Sequence, residues 1–472
     1  MTAIDWVKLG ILLPLFGVVA PVAGVWLKGR ERWQLGVFAV MCFMTLNGLM
    51  GPSNWGLTVA SIETYRGHTK GYHFYFNHAL AVALITARRL EGREGFRWAP
   101  PLLLPYLAYC GLSLLSVLNA PDHHLVLMTA HKMAFASLLL IATFNLLRTT
   151  EHLQYFLRVM AGVMFWEALV CLKLKYADGM YQVRGTFEHQ NPLAMYAIAV
   201  GMPLLAAGLG PAFRGGNRCL AGFLACALVV QCTLSRAALA AFALGTIGVM
   251  VVSLLDKPTV RRWSVAAGMG VVGAVGLLLT ADTIVARFND HGNQASSELR
   301  EVMKDACREM VRDHPLGIGW NNYALVVNPP YRYAEVYYDW IRGRGMRVDE
   351  TKANSVVESH YYLLLAETGY PGLAAWLLVI GLAWWRNLRA FLAFGHSFQR
   401  SLSLGIAAGC ALNYLQSTLE RVLTQPRNLM LWLILMGVTG RLEQLRRERR
   451  RAAVSQRPSA TDTHEPHAMP PP

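Results

Sequence analysis

Glu358 and His360 stand where a polar stretch, from about Ala281 to Val357, gives way to apolar sequence. An imidazole at a water–lipid boundary can accept a proton near neutral pH, and a carboxylate can do so once burial raises its pKa. Either is therefore a candidate general base for a hydroxyl within hydrogen-bond reach. Plainer roles compete: an interfacial histidine in an aromatic belt with Tyr361 and Tyr362, and a glutamate paired to an arginine. Arg184, Arg236, Arg300 and Arg421 supply complementary chemistry, because each falls at or near the end of an apolar run. An arginine at that depth is costly unless paired or solvated, so it usually faces a cavity and meets an anion. Glu188, Glu298 or Glu420 can neutralise one of them. Four arginines on one side favour an anion site instead, and Arg184, Arg236 and Arg300 are expected to converge on it.

The elements that position these residues follow from composition. Of 472 residues, 54% are hydrophobic and 15% charged, mean hydropathy is +0.32, and the apolar residues come in runs. That describes an all-α polytopic membrane protein. Candidate spans are 6–26, 33–51, 74–88, 101–118, 130–147, 153–174, 191–209, 218–233, 236–255, 264–281, 359–384, 401–417 and 427–440, giving twelve or thirteen helices. The first is too long for a secretory signal and lacks the small-residue cleavage site, so it is read as retained. Seven of the eight cysteines lie in or beside apolar runs and Cys307 stands alone in the polar stretch, which favours structural thiols over disulfides.

Lysine and arginine alternate between successive loops, and this orients the chain. The basic set (28–32, 88–97, 148, 214–218, 257–262, 386–400 and the tail) is assigned to the cytoplasm. The opposite set then holds 52–72, 119–129, 175–190, the turn at 234–236, 282–357 and 418–426. Four regions follow: an N-terminal bundle (1–281), a large loop domain (282–358) between the tenth and eleventh spans, C-terminal spans (359–440), and a basic then disordered cytoplasmic tail (441–472). The +15 net charge is accounted for by membrane orientation and lipid headgroups, with no nucleic acid partner.

Within the loop domain, Leu299, Val302, Met303, Ala306, Cys307, Met310 and Val311 form the apolar face of a helix capped by Ser296 or Ser297 and stopped at His314-Pro315-Leu316-Gly317-Ile318-Gly319. Arg300, Lys304, Arg308 and Arg312 make a basic stripe beside the acidic stripe Glu301, Asp305, Glu309 and Asp313, so all but Arg300 are read as a solvated, self-paired face. Asn191-Pro192 starts a helix whose N-terminus shares the outer side with Arg184. Thr233-Leu234-Ser235-Arg236 breaks one apolar run into two spans by a tight turn. Metal-ligand, P-loop and dinucleotide fingerprints are absent, so no metal and no cofactor are expected.

These segments resemble the O-antigen ligase and polymerase superfamily of bacterial inner-membrane glycan enzymes, and most closely an O-antigen ligase. The resemblance is carried by Arg184-Gly185-Thr186-Phe187 with Asn191-Pro192, by Ser235-Arg236, by Arg300 with Asp313 to Gly319 and Asn322-Tyr323, and by His360 through Glu367-Thr368-Gly369 to Pro371-Gly372-Leu373. The family writes His-Asn, nine residues, then the glycine matching Gly369, so its histidine would fall at Glu358; His360, within Ser-His-Tyr-Tyr-Leu, is favoured as base, with Glu358 as the alternative. The resemblance implies a metal-independent, inverting glycosyltransferase with a periplasmic active site. Its donor would be O-antigen polysaccharide on undecaprenyl pyrophosphate, bound through Arg184, Arg236 and Arg300, and its acceptor a hydroxyl of the lipid A–core. O-antigen polymerase and protein O-oligosaccharyltransferase share that donor, and a lipid-linked glycan transporter is a remoter alternative.

Overall fold

The computed structural model describes the chain apart from residues 1, 47, 50–54, 93, 94, 212, 214, 289–291, 350, 351, 355 and 456–472. A helix occupies at least part of each of the thirteen apolar stretches, from Ala3–Leu27 to Pro426–Ser455, and among the described residues seven helices are long and apolar enough to cross a membrane. Side-chain caps set several starts: Asp122 accepts from His124 N–H, Thr149 from His152 N–H and Ser397 from Arg400 N–H. The run at 219–255 breaks at Leu234, whose φ of 50° closes the turn before Arg236 opens the next helix.

Gln190–Leu209 is the central helix, its apolar window entirely buried, whereas the windows in Ala3–Leu27 and Arg236–Asp256 are only 17% and 22% buried and face lipid. Asp5 accepts from Ala60 N–H (3.0 Å) and Lys8 donates to the Thr58 carbonyl (2.7 Å), which fixes the N-terminus on the side of the large loop. Arg441 donates to the Phe144 carbonyl at the opposite end (2.5 Å). The last helix runs on through the basic stretch to Ser455, so the expected tail begins as helix; the part expected to be disordered includes 456–472, which lie outside the described residues.

The stretches assigned to one side on charge alone meet there. Residues 56–75 form an antiparallel hairpin, Gly56–Val59 with Tyr72–Tyr75, that an all-α reading did not anticipate. Its tip packs against the loop domain, where Thr69 N–H donates to Asn321 Oδ1 and Asn321 Nδ2 donates to the Thr69 carbonyl. The loop domain consists of Gly292–Asp313, a turn Tyr323–Val326 and Ala334–Gly343. Its first helix begins at Gly292, ahead of the expected serine cap. The apolar face is as expected: Met303, Ala306, Cys307 and Met310 share a small core with Ile318, Tyr323, Val357 and Leu363.

Candidate functional site

Backbone geometry places His360. The helix His360–Ala393 is broken at Gly369 (φ 64°), and the His314–Gly319 turn docks on the break. Ile318 N–H donates to the Ala366 carbonyl (2.9 Å) and Tyr370 N–H to the Pro315 carbonyl (3.0 Å). Gly317, at φ 91°, faces Gly369: a Cβ on either would come within 2.6 Å of the other's backbone. The two glycine-bearing motifs are therefore one structure, a backbone-to-backbone joint that locks the loop domain to the top of the span.

His360 is the first residue of that helix, with its N–H on the Ser417 carbonyl (2.9 Å). The residue is 1% exposed, packed inside the protein instead of open to solvent. Its ring meets Trp376 edge-on at 5.2 Å, and among the described residues neither ring nitrogen has a hydrogen-bond partner. His68, Arg421 and Lys132 lie near enough to act on it electrostatically. Glu358, the alternative base, is instead held by Arg300: Nε to Oε2 is 2.5 Å, with the two side chains 40% and 41% exposed. A pair that exposed is worth at most about 1 kcal/mol, so it opens easily to a stronger anion.

Glu420 joins this pair. Asn191 Nδ2 donates to its Oε1 (2.7 Å), and burial together with the charge on Glu358 pushes its pKa up to about 7. Arg184 is exposed, on a segment whose shape is set from below. Thr186 donates its N–H (2.8 Å) and hydroxyl (2.9 Å) to Glu167, buried in the Thr150–Ala177 span. Gly185 passes over that carboxylate at φ 55°, where a Cβ would lie 1.9 Å from Oε1. Val183 N–H bonds the Cys232 carbonyl (3.1 Å), which draws Arg184 to the turn that carries half-buried Arg236. The three arginines thus fall into two groups, Arg184 with Arg236 and Arg300 with Glu358, and the 183–191 segment joins them through Asn191 and Glu420. The helix at 190–209 starts one residue before Asn191, with His189 Nδ1 accepting from Asn191 N–H.

Most other loop cations are satisfied internally: Lys304 pairs with Glu301, Arg308 with Asp305, Arg332 with Asp313, Arg342 with Glu335 and Asp339, and Arg344 with Glu298. The loop's basic excess is therefore no general anion surface, and Arg300, paired with Glu358, differs from its stripe neighbours in its partner's place in the chain: 58 residues away instead of within its own helix. Arg308 does more than face solvent, because it also donates to the Tyr362 hydroxyl (2.9 Å). Sequence reasoning missed His68, Lys132 and Glu167, named Glu367 only within the family motif, and named Glu420 only as a possible arginine partner. Lys132, Glu167 and Glu367 had a signal, each being an ionisable residue inside an apolar span.

The fold is that of a multi-pass membrane protein. Residues 220–377 match the family model described as O-antigen ligase, a stretch that includes Arg236, Arg300, Glu358, His360 and both halves of the glycine joint. Over that stretch, about a third of the chain, the sequence is similar to the O-antigen ligase family. None of the curated proteins compared with the chain matches it.

Proposed function

We propose that the protein is an O-antigen ligase, transferring a polysaccharide from undecaprenyl pyrophosphate to a hydroxyl of a lipid A–core acceptor at the periplasmic face of the inner membrane. The observation that carries this reading is His360: a buried imidazole with two unpartnered nitrogens, under the loop domain and beside cationic side chains. In this reading the imidazole takes the proton of the incoming hydroxyl as oxygen attacks the anomeric carbon from the face opposite the leaving group. The glycosidic bond to phosphate breaks, the pyrophosphate leaves with the electron pair, and configuration inverts. Arginines stabilise the charge that grows on the phosphate oxygens. Glu358 is the weaker base candidate because Arg300 already binds its carboxylate.

The direct test is to mix purified protein with lipid-linked glycan and rough lipopolysaccharide, without nucleotide or divalent metal, and to look for the ligated product. Its absence under conditions where donor and acceptor both bind overturns the proposal. Arg184, Arg236 and Arg300 changed singly to Lys should each impair transfer, and to Ala more severely, by roughly 2–4 kcal/mol of transition-state stabilisation. Lysine keeps the charge and loses the planar bidentate fork. Arg312, on the solvated stripe, should tolerate Ala with little change; a loss there equal to that at Arg300 would refute the separation.

Orientation is testable with thiols, since all eight native cysteines are buried. A membrane-impermeant maleimide added from the periplasm should label a cysteine placed at Trp340 and spare one at Val260. Labelling of both from one side overturns the topology and the outward site with it.

A further inference from the structure

Four arginines with no part in the site described above meet at the other end of the bundle. Arg88 lies in the last turn of Phe76–Glu91, Arg97 on the loop that follows, Arg148 just past the end of His123–Leu146, and Arg441 on Pro426–Ser455. Asn145 ties the loop to the second of these helices: Arg97 N–H donates to its Oδ1 (2.9 Å), and its Nδ2 donates to the Arg97 carbonyl (3.0 Å). Arg148 donates to the carbonyls of Asn145 (3.1 Å) and Gly95 (3.2 Å), and the Arg441 guanidinium lies 4.3 Å over the Phe144 ring. Arg88, Arg97 and Arg148 are all near enough to act on Arg441 electrostatically.

Carboxylates do not balance this cluster. Among the described residues only Arg88 has one within ion-pair distance, Glu91 at 2.6 Å, which Gly29 N–H and Gln34 Nε2 also engage. Glu443 is spent on Arg446 and Arg447, and Glu448, held by Gln444, reaches Arg441 only from a distance. The carbonyl end of His123–Leu146 accounts for Arg148 and Arg441, because a helix C-terminus favours cations. It does not account for Arg97, whose guanidinium makes no hydrogen bond among the described residues; both its bonds to Asn145 are backbone ones. Arg88 and Arg441 are 8% and 4% exposed, and the Nε–H of each has no acceptor among the described residues. Arg148 is half-buried and Arg97 exposed, so a buried pair of charges stands behind a pair that can touch a ligand. Charge that the protein's own groups leave unmatched creates affinity for an anion.

The surroundings favour a lipid over a soluble anion. Trp98, beside Arg97, is exposed, as are Leu90 and Leu104 on the helices before and after the loop. An exposed tryptophan between lipid-facing leucines marks headgroup level, where a phosphate arrives attached to acyl chains. We propose that Arg88, Arg97, Arg148 and Arg441 form a site for the phosphodiester headgroup of an anionic glycerophospholipid, on the face opposite the loop domain. It is independent of the reaction proposed above. It also differs from the exposed Arg449, Arg450 and Arg451, which any anionic surface attracts. An occupied site bridges the ends of three helices, so the lipid stabilises the bundle.

Native mass spectrometry and thermal unfolding of the full-length protein in detergent test this, with phosphatidylglycerol, phosphatidylcholine and inorganic phosphate as probes. Wild type should retain phosphatidylglycerol in preference to phosphatidylcholine and unfold at a higher temperature with it, and inorganic phosphate at the same concentration should not raise that temperature. Arg97→Gln, which keeps both backbone bonds to Asn145, should weaken phosphatidylglycerol binding about fivefold, and Arg97→Gln with Arg148→Gln roughly twentyfold or more. Changing Arg449, Arg450 and Arg451 together to Gln should leave the tightly held lipid in place. The proposal is overturned if wild type holds both lipids equally, if phosphate reproduces the stabilisation, or if the tail variant loses as much binding as the double variant. Should the double variant fail to fold, Arg97→Gln decides alone, and wild-type binding there sinks the site.

Discussion

Replacing His360 by phenylalanine is expected to lower glycan transfer roughly 100- to 10,000-fold while leaving the protein folded and donor binding close to wild type. The range is that of a positioned general base removed from a step that needs one. Phenylalanine is the informative variant because the ring is buried and packs edge-on to Trp376, which in turn meets Tyr109 (5.0 Å) and Trp432 (5.1 Å). Alanine would leave a void there, and its loss of activity would mix chemistry with packing. Since the anchoring bond from residue 360 to the Ser417 carbonyl is a backbone one, either variant keeps it. Glu358→Gln should cost less than about tenfold, because an ion pair exposed to this degree contributes little. The measurement is initial rate at saturating acceptor with donor binding determined separately. Near-normal rates for His360→Phe and collapse for Glu358→Gln would move the base to Glu358.

What the sequence made legible here, and what it hid, has a physical pattern. The thirteen helices are visible because each is a run of apolar residues long enough to outweigh its neighbours, and the turn at Leu234–Arg236 because one arginine interrupts such a run. His360, Glu358 and the arginines were visible because they lie at the ends of those runs, where charge is exceptional. The environment of His360 was not. Lys132 and Glu367 are single charges inside long apolar stretches, so averaging over a span erases them. Their link runs through His68, 64 residues from one and 299 from the other, on a hairpin loop with no periodicity to announce it. Pairings of that kind are set by tertiary closure. The Arg300–Glu358 pair was harder in a different way, since each residue had its own functional reading, and only the geometry shows that the two bind each other.

Gly369→Val is expected to cost the protein its joint between loop domain and membrane bundle, with transfer falling below detection. Valine at φ 64° is disfavoured by its backbone alone, at roughly 1–2 kcal/mol for leaving the right-handed region and more for a β-branched side chain. Space adds a larger penalty. A Cβ at 369 would lie 2.2 Å from the Pro315 carbonyl oxygen and 2.6 Å from Gly317 N, and both are backbone atoms with no rotamer to yield. Relief requires the His314–Gly319 turn to lift away, breaking the bonds from Ile318 to Ala366 and from Tyr370 to Pro315. Just after that turn come Asn321 and Asn322, which hold the hairpin tip at Thr69 and the chain at Asp122. Lifting it therefore disturbs His68, Glu367 and the approach to His360 together, without touching any proposed catalytic atom. Limited proteolysis should cut the loop domain of Gly369→Val faster than that of wild type. Gly343→Val, where an added Cβ meets no atom within 4 Å, should be cut at the wild-type rate. Equal protection of Gly369→Val and wild type, with transfer retained, would show that the loop domain is held by its side-chain core alone.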